Sequence, residues 1–130
     1  MKYFLPLMVI AICLFGCQKD KVTAPSVAGR WELRQEIGGS MGLDNSYPVG
    51  NGNVYQFNSD GTFMQYTADS LTAKGTYTVK ADAETVNSVG YNEIYFNGSA
   101  NGQIVQVADS TLTLGITYDD GIANIYAKIP

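Results

Sequence analysis

The amino-acid sequence predicts an all-β fold, an eight-stranded antiparallel up-and-down barrel over residues 27–130. Three observations support this prediction. Apolar and polar residues alternate in short runs, glycine- and asparagine-rich turns separate the runs, and no ten-residue stretch sustains a helical period. A meander of such strands leaves two unpaired edges, and closure into a barrel removes both. We favour closure over a β-sandwich, which usually needs several long crossover connections.

The first predicted strand covers residues 31–37. Its apolar side chains, beginning with Trp31, alternate with charged ones, which gives one buried and one solvated face. A glycine-rich connection, 38–52, follows this strand. In a closed barrel it either lies across an open end or serves as a disordered connector, and the sequence leaves both alternatives open.

Seven further short runs complete the predicted barrel. They cover residues 54–57, 63–66, 74–79, 91–96, 104–107, 112–116 and 122–129. The first two of these runs are joined by Asn58-Ser59-Asp60-Gly61, in which the glycine can take the positive φ that a tight hairpin needs. Short turns of this kind predict that neighbouring strands are antiparallel.

Gly29-Arg30-Trp31, at the head of the first strand, resembles the Gly-X-Trp signature of lipocalins. Residues 27–130 are similar to the small lipocalin-like domains of Bacteroidetes lipoproteins. The motifs that carry this similarity are Gly29-Arg30-Trp31, Tyr55-Gln56-Phe57, Gly75-Thr76-Tyr77 and Thr111-Leu112-Thr113-Leu114. In lipocalins an arginine near the last strand packs over the tryptophan. No arginine follows Arg34 here, and Lys128 is the candidate to replace it.

The N-terminus has the features of an export signal. Met1-Lys2 precedes an apolar run, 3–15, which is shorter than the roughly 20 residues of a membrane-spanning helix. Leu14-Phe15-Gly16-Cys17 resembles a bacterial lipobox. The resemblance implies that residues 1–16 are a lipoprotein signal peptide and that Cys17 is lipidated, with palmitate as a typical acyl group. The alternative is an ordinary secreted protein with an incidental cysteine.

Residues 17–26 are predicted to be the lipidated cysteine and a flexible, polar tether. Gln18-Lys19-Asp20 resembles the surface-export signal of Bacteroidetes lipoproteins; a solvated charged linker is the alternative. The resemblance implies a lipid-anchored protein of the outer membrane, with the cell surface favoured. The N-terminal lipid is then the only expected membrane contact, since the domain has few basic residues.

Composition argues against several classes of function. The chain has no histidine, and its two cysteines lie at or before position 17, which excludes histidine-based triads and His/Cys zinc sites. The net charge of −4 argues against nucleic-acid binding. The strand carboxylates Glu32, Glu36 and Glu93 alternate with apolar residues, which predicts the solvated outer face rather than a hydrolytic pair. We expect no catalytic residues, no cofactor and no metal.

Five aromatic residues share the inward phase of the predicted strands: Trp31, Tyr55, Phe57, Tyr77 and Tyr126. They either line a ligand pocket or fill the core of a small barrel, and the sequence leaves both open. Two functions follow. The first is a non-catalytic lipoprotein that binds a small apolar or aromatic ligand in its barrel. The alternative is a surface interaction module with a filled core, which contacts a protein or glycan partner.

Overall fold

A computed structural model describes residues 22–130, which contain nine β-strands and one 3₁₀ turn. In chain order the elements are β1 (Gly29–Gly38), β2 (Leu43–Ser46), β3 (Val54–Phe57), β4 (Thr62–Thr67), β5 (Ser70–Val86), β6 (Val89–Phe96), β7 (Gln103–Ala108), β8 (Thr111–Gly115), the 3₁₀ turn (Tyr118–Asp120) and β9 (Ile122–Ile129). The signal peptide of residues 1–16, Cys17 and Gln18-Lys19-Asp20 lie outside the described residues. Within residues 22–130, no helix is long and apolar enough to cross a membrane.

All paired strands are antiparallel and belong to one sheet, which the pairing of β1 with β9 closes into a barrel. Eight strands form the wall of this barrel. The first half of β1 pairs with β3, while its second half pairs with β2 as an additional strand. The predicted eight-stranded antiparallel up-and-down barrel is therefore confirmed. The main difference in length is β5, which continues well beyond the predicted run into a long hairpin with β6.

The connection 38–52 is ordered, so the disordered alternative is wrong. It contains β2, whose backbone pairs with β1 and whose Asp44 accepts a hydrogen bond from the Gln35 side chain at 2.8 Å. After β2 the backbone N–H of Tyr47 donates to the carbonyl of Arg34 at 2.8 Å. The segment thereby returns along β1 and brings the Tyr47 ring against the barrel core.

One end of the barrel, which we call the filled end, is closed by large apolar side chains. Its main residues are Val27, Trp31, Phe57, Phe63, Tyr77 and Leu112. Trp31 is only 1% exposed, and its indole N–H donates to the carbonyl of Val27 at 2.7 Å. The Nζ atom of Lys128 lies 5.4 Å from the centre of the Trp31 ring, so the contact predicted for this lysine is present.

A β-bulge at Arg34 changes which side chains of β1 point into the barrel. Leu33 is opposite Tyr126, but Gln35 is opposite Ile125, so the register shifts by one residue at this point. A bulge of this kind re-aims the side chains that follow it. Glu36 consequently lies opposite Asn124 and faces the interior. The prediction that Glu36 lies on the solvated outer face is wrong for this reason.

Candidate functional site

A cavity of about 330 Å³, which we call the mouth cavity, lies at the end of the barrel reached by the second half of β1. Its lining combines four tyrosines with several polar side chains and three aliphatic ones. The lining residues are Leu33, Glu36, Tyr47, Asn53, Val54, Tyr55, Gln65, Tyr66, Thr67, Gln103, Leu114, Asn124 and Tyr126. The volume of the cavity lies at the lower end of the range of about 300–1,000 Å³ that small-molecule sites occupy.

The floor of the mouth cavity is aromatic. The rings of Tyr55 and Tyr126 meet edge to face with their centres 5.7 Å apart, and Tyr55 stacks on Phe57 of the filled end at 5.2 Å. Burial raises the pKa of both Tyr55 and Tyr126, so these phenols remain neutral at every pH near neutrality. The floor is therefore an uncharged aromatic surface on which a ring can pack.

A carboxylate and a phenol form a pair on the wall of the cavity. The Tyr47 hydroxyl donates to Oε2 of Glu36 at 2.5 Å, and this hydrogen bond raises the pKa of Tyr47. Glu36 is half-buried, and no lysine or arginine of residues 22–130 lines the cavity. The carboxylate thus gives the cavity a negative charge that no neighbouring lining residue balances.

The side chain of Asn124 adds a second acceptor beside this carboxylate. Its Oδ1 atom is buried and has no hydrogen-bond partner within the part of the chain that the structure describes. Leaving a buried polar atom unpaired costs about 1–3 kcal/mol, and native proteins rarely contain such atoms. Asn124 lies opposite Glu36 on β1 and opposite Leu114 on β8, so the Glu36 carboxylate and the unpaired Asn124 oxygen belong to one side of the cavity.

The structure divides the five predicted ligand-lining residues into two groups. Tyr55 and Tyr126 line the mouth cavity, as the inward phase of their strands suggests. Trp31, Phe57 and Tyr77 instead contribute to the filled end. The Tyr77 hydroxyl is directed away from the mouth cavity, since it donates to the backbone carbonyl of Asn58 in the β3–β4 turn at 2.8 Å.

The sequence did not predict several polar residues of the cavity, and three of them, Glu36, Tyr47 and Asn124, were missed for different reasons. Glu36 is hidden by the bulge, because its inward direction depends on strand pairing. Tyr47 lies in the connection 38–52, in which apolar and polar residues do not alternate as they do in a strand. Asn124 did leave a signal, because it is a polar residue in the same phase as Tyr126 within a largely apolar strand.

Glu32, the carboxylate in the first half of β1, is buried, so the prediction that it is solvated is wrong. It is 4% exposed on the outer side of the barrel wall, forms a salt bridge with Arg34, and accepts backbone N–H bonds from Gly50 and Gly52 at 3.1 and 3.2 Å. Burial alone would raise its pKa, but these hydrogen bonds and the Arg34 charge outweigh burial and lower it. Glu32 therefore fastens the connection 38–52 to the barrel.

Within residues 22–130, no three Asp, Glu, Cys or His side chains come together closely enough to hold a metal ion. Comparison of the chain with family models, curated proteins and solved structures finds no match.

Proposed function

We propose that this chain is an outer-membrane lipoprotein whose barrel binds a small aromatic ligand in the mouth cavity, without catalysing a reaction. The observation that carries the proposal is the buried, unpaired Oδ1 atom of Asn124 in a cavity of about 330 Å³. A protein retains such an atom at a cost in stability, and a ligand that donates a hydrogen bond to it recovers that cost.

The shape of the interior supports a small ligand. Apolar side chains occupy the filled end, so the hollow part of the barrel lies toward the mouth. The packed rings of Tyr55 and Phe57 lie between these two regions. A flat ring fits on this floor, because offset and edge-to-face contacts between aromatic rings are favourable.

Native mass spectrometry of the full-length protein, extracted from its own membrane, tests binding. We expect a co-purified small molecule in the wild type. Thr67→Trp should displace it, because Thr67 lines the cavity rim. Thr72→Trp is the matched control, since the Thr72 hydroxyl lies 3.3 Å from that of Thr67 but its side chain is not part of the lining. Equal loss in both variants, or no bound molecule, would contradict the proposal.

The membrane anchor is the second part of the proposal, and the lipobox resemblance of Leu14-Phe15-Gly16-Cys17 supports it. Described residues 22–28 have no regular secondary structure, which suits a tether. Intact-mass analysis of the wild type should give the mass of a chain that begins at Cys17 plus its acyl chains, whereas Cys17→Ser should carry no acyl mass. Protease treatment of intact cells tests surface exposure, and complete protection would argue against it.

A protein or glycan partner is the second candidate function. A surface groove beside the β5–β6 hairpin has Val89 and Tyr118 in its lining, which are 52% and 46% exposed. Exposed apolar groups that cluster in this way often mark interaction sites. A photo-crosslinker at Val89 should then capture a specific partner in the cell envelope, whereas one at Thr72 should not. An empty mouth cavity together with this capture would favour the alternative.

A further inference from the structure

The mouth cavity offers hydrogen-bond acceptors and a negative charge, and no lysine or arginine of residues 22–130 is among its lining residues. Glu36 supplies a carboxylate and Asn124 a buried carbonyl oxygen, opposite each other on paired strands. Directly opposed residues of antiparallel strands have Cβ atoms about 4.5–5.5 Å apart. The two side chains therefore project from the same side of the sheet as neighbours in the lining of the cavity.

The outer face of the barrel contains a similar tyrosine–glutamate pair, and a lysine accompanies it. There the Tyr95 hydroxyl donates to Glu93, as the Tyr47 hydroxyl donates to Glu36 in the cavity. The Nζ atom of Lys80 lies over the Tyr95 ring, 4.6 Å from its centre. An ammonium group thus accompanies the tyrosine–glutamate pair outside, while no lysine or arginine of residues 22–130 lines the cavity that holds the inner pair.

The aromatic lining favours the same chemistry. A cation within about 6 Å of a ring face is attracted by the ring quadrupole, and the attraction grows when water is displaced. The cavity presents tyrosine rings beside its carboxylate, among them Tyr47, Tyr55 and Tyr126. A carboxylate ligand would instead be repelled by Glu36, and a neutral polyol would leave its charge unbalanced.

We infer that the mouth cavity binds a small organic amine, in which a short alkyl chain joins one protonated nitrogen to a single aromatic ring. The ammonium donates hydrogen bonds to Glu36 and to Oδ1 of Asn124, and the ring packs on the Tyr55–Tyr126 floor. This inference rests on the proposed function, because it names the chemical class of the ligand in the same cavity.

Three probes of nearly identical shape test the inference: 2-phenylethylamine, 2-phenylethanol and 3-phenylpropanoate. Calorimetric titration of the full-length protein in detergent should show that the amine binds roughly tenfold or more tightly than the alcohol, since charge-assisted hydrogen bonds exceed neutral ones. The carboxylate should bind more weakly than both. This comparison needs no variant, so it holds even if a substitution disturbs folding.

Variants then locate the selectivity. Glu36→Gln should reduce the preference for the amine over the alcohol by roughly tenfold while the affinity for the alcohol changes little. Glu93→Gln, the matched change in the outer pair, should leave both affinities as they are. Asn124→Leu should also weaken amine binding, because it removes the buried acceptor.

The outcomes separate the two levels of the proposal. Equal affinity for amine and alcohol, or an amine preference that survives Glu36→Gln, overturns the amine inference and leaves ligand binding in the cavity intact. Failure of all three probes, in a protein that also carries no co-purified molecule, overturns both.

Discussion

The two ends of the barrel use the same strands for different purposes. At the filled end, Trp31 and Phe57 are almost completely buried and pack against other large apolar groups. At the mouth, Glu36 and Asn124 occupy inward positions of the neighbouring strands, β1 and β9, and leave a hollow. Apolar burial stabilises a fold, whereas a buried unpaired acceptor lowers stability. The difference indicates that the filled end supports the fold and that the mouth is shaped for another task.

Truncation of a large ring at each end is expected to give the largest contrast. Phe57→Ala should lower the free energy of unfolding by about 3–5 kcal/mol, because it opens a cavity in a tightly packed core. Tyr66→Ala should lower it by about 1 kcal/mol, since Tyr66 is half-buried and already borders a cavity. Urea denaturation measures both values. Similar losses at the two ends would remove the distinction between them.

Glu32→Gln should lower the free energy of unfolding by about 1–3 kcal/mol at pH 7, because a buried, charged acceptor loses its charge. Folding lowers the pKa of Glu32 from its ordinary value of 4.5. Its contribution is therefore fully present above about pH 4.5 and is lost as the pH falls through the lower, folded pKa.

Urea denaturation between pH 7 and pH 3 should accordingly show a weaker acid dependence for Glu32→Gln than for the wild type. Glu84→Gln, which changes an exposed carboxylate of β5, is the control and should keep the acid dependence of the wild type. A parallel pH profile for the wild type and Glu32→Gln would contradict the assigned role of Glu32.

Asn124→Leu should raise the free energy of unfolding by about 1 kcal/mol, because it replaces an unpaired buried amide with an apolar group of similar size. Asn51→Leu should have the opposite sign, since the Asn51 amide donates to the carbonyls of Leu33 and Pro48 at 2.8 and 2.6 Å. Thermal unfolding of the two variants gives the comparison. Destabilisation by Asn124→Leu would show that this amide is part of the structural core.

The smallest expected effect concerns the cation over the tryptophan at the filled end. Lys128→Gln should lower the free energy of unfolding by about 0.5–1 kcal/mol through loss of the contact with Trp31. Lys74→Gln, at an exposed lysine of β5, is the control and should change stability less. Chemical denaturation in replicate resolves a difference of this size, and equal effects would assign no stabilising role to the contact.

The sequence predicts what depends on local pattern. The eight barrel strands and the burial of Trp31 follow from alternation within single runs, which is a local property. The sequence did not predict strand β2, because Leu-Asp-Asn-Ser has little intrinsic β preference. Its extended conformation depends on pairing with β1. The inward direction of the Glu36 side chain was not predicted for a related reason, since the bulge is visible only when β1 is aligned with β9.

The position of Val27 has a consequence for how the cavity meets its surroundings. This residue precedes β1 and is buried at the filled end, so the chain joins the barrel at the end away from the mouth. With the lipid on Cys17 that we propose, the tether meets the barrel at the filled end rather than at the mouth. An attachment there leaves the mouth free to face the aqueous phase, which suits a water-soluble, charged cargo.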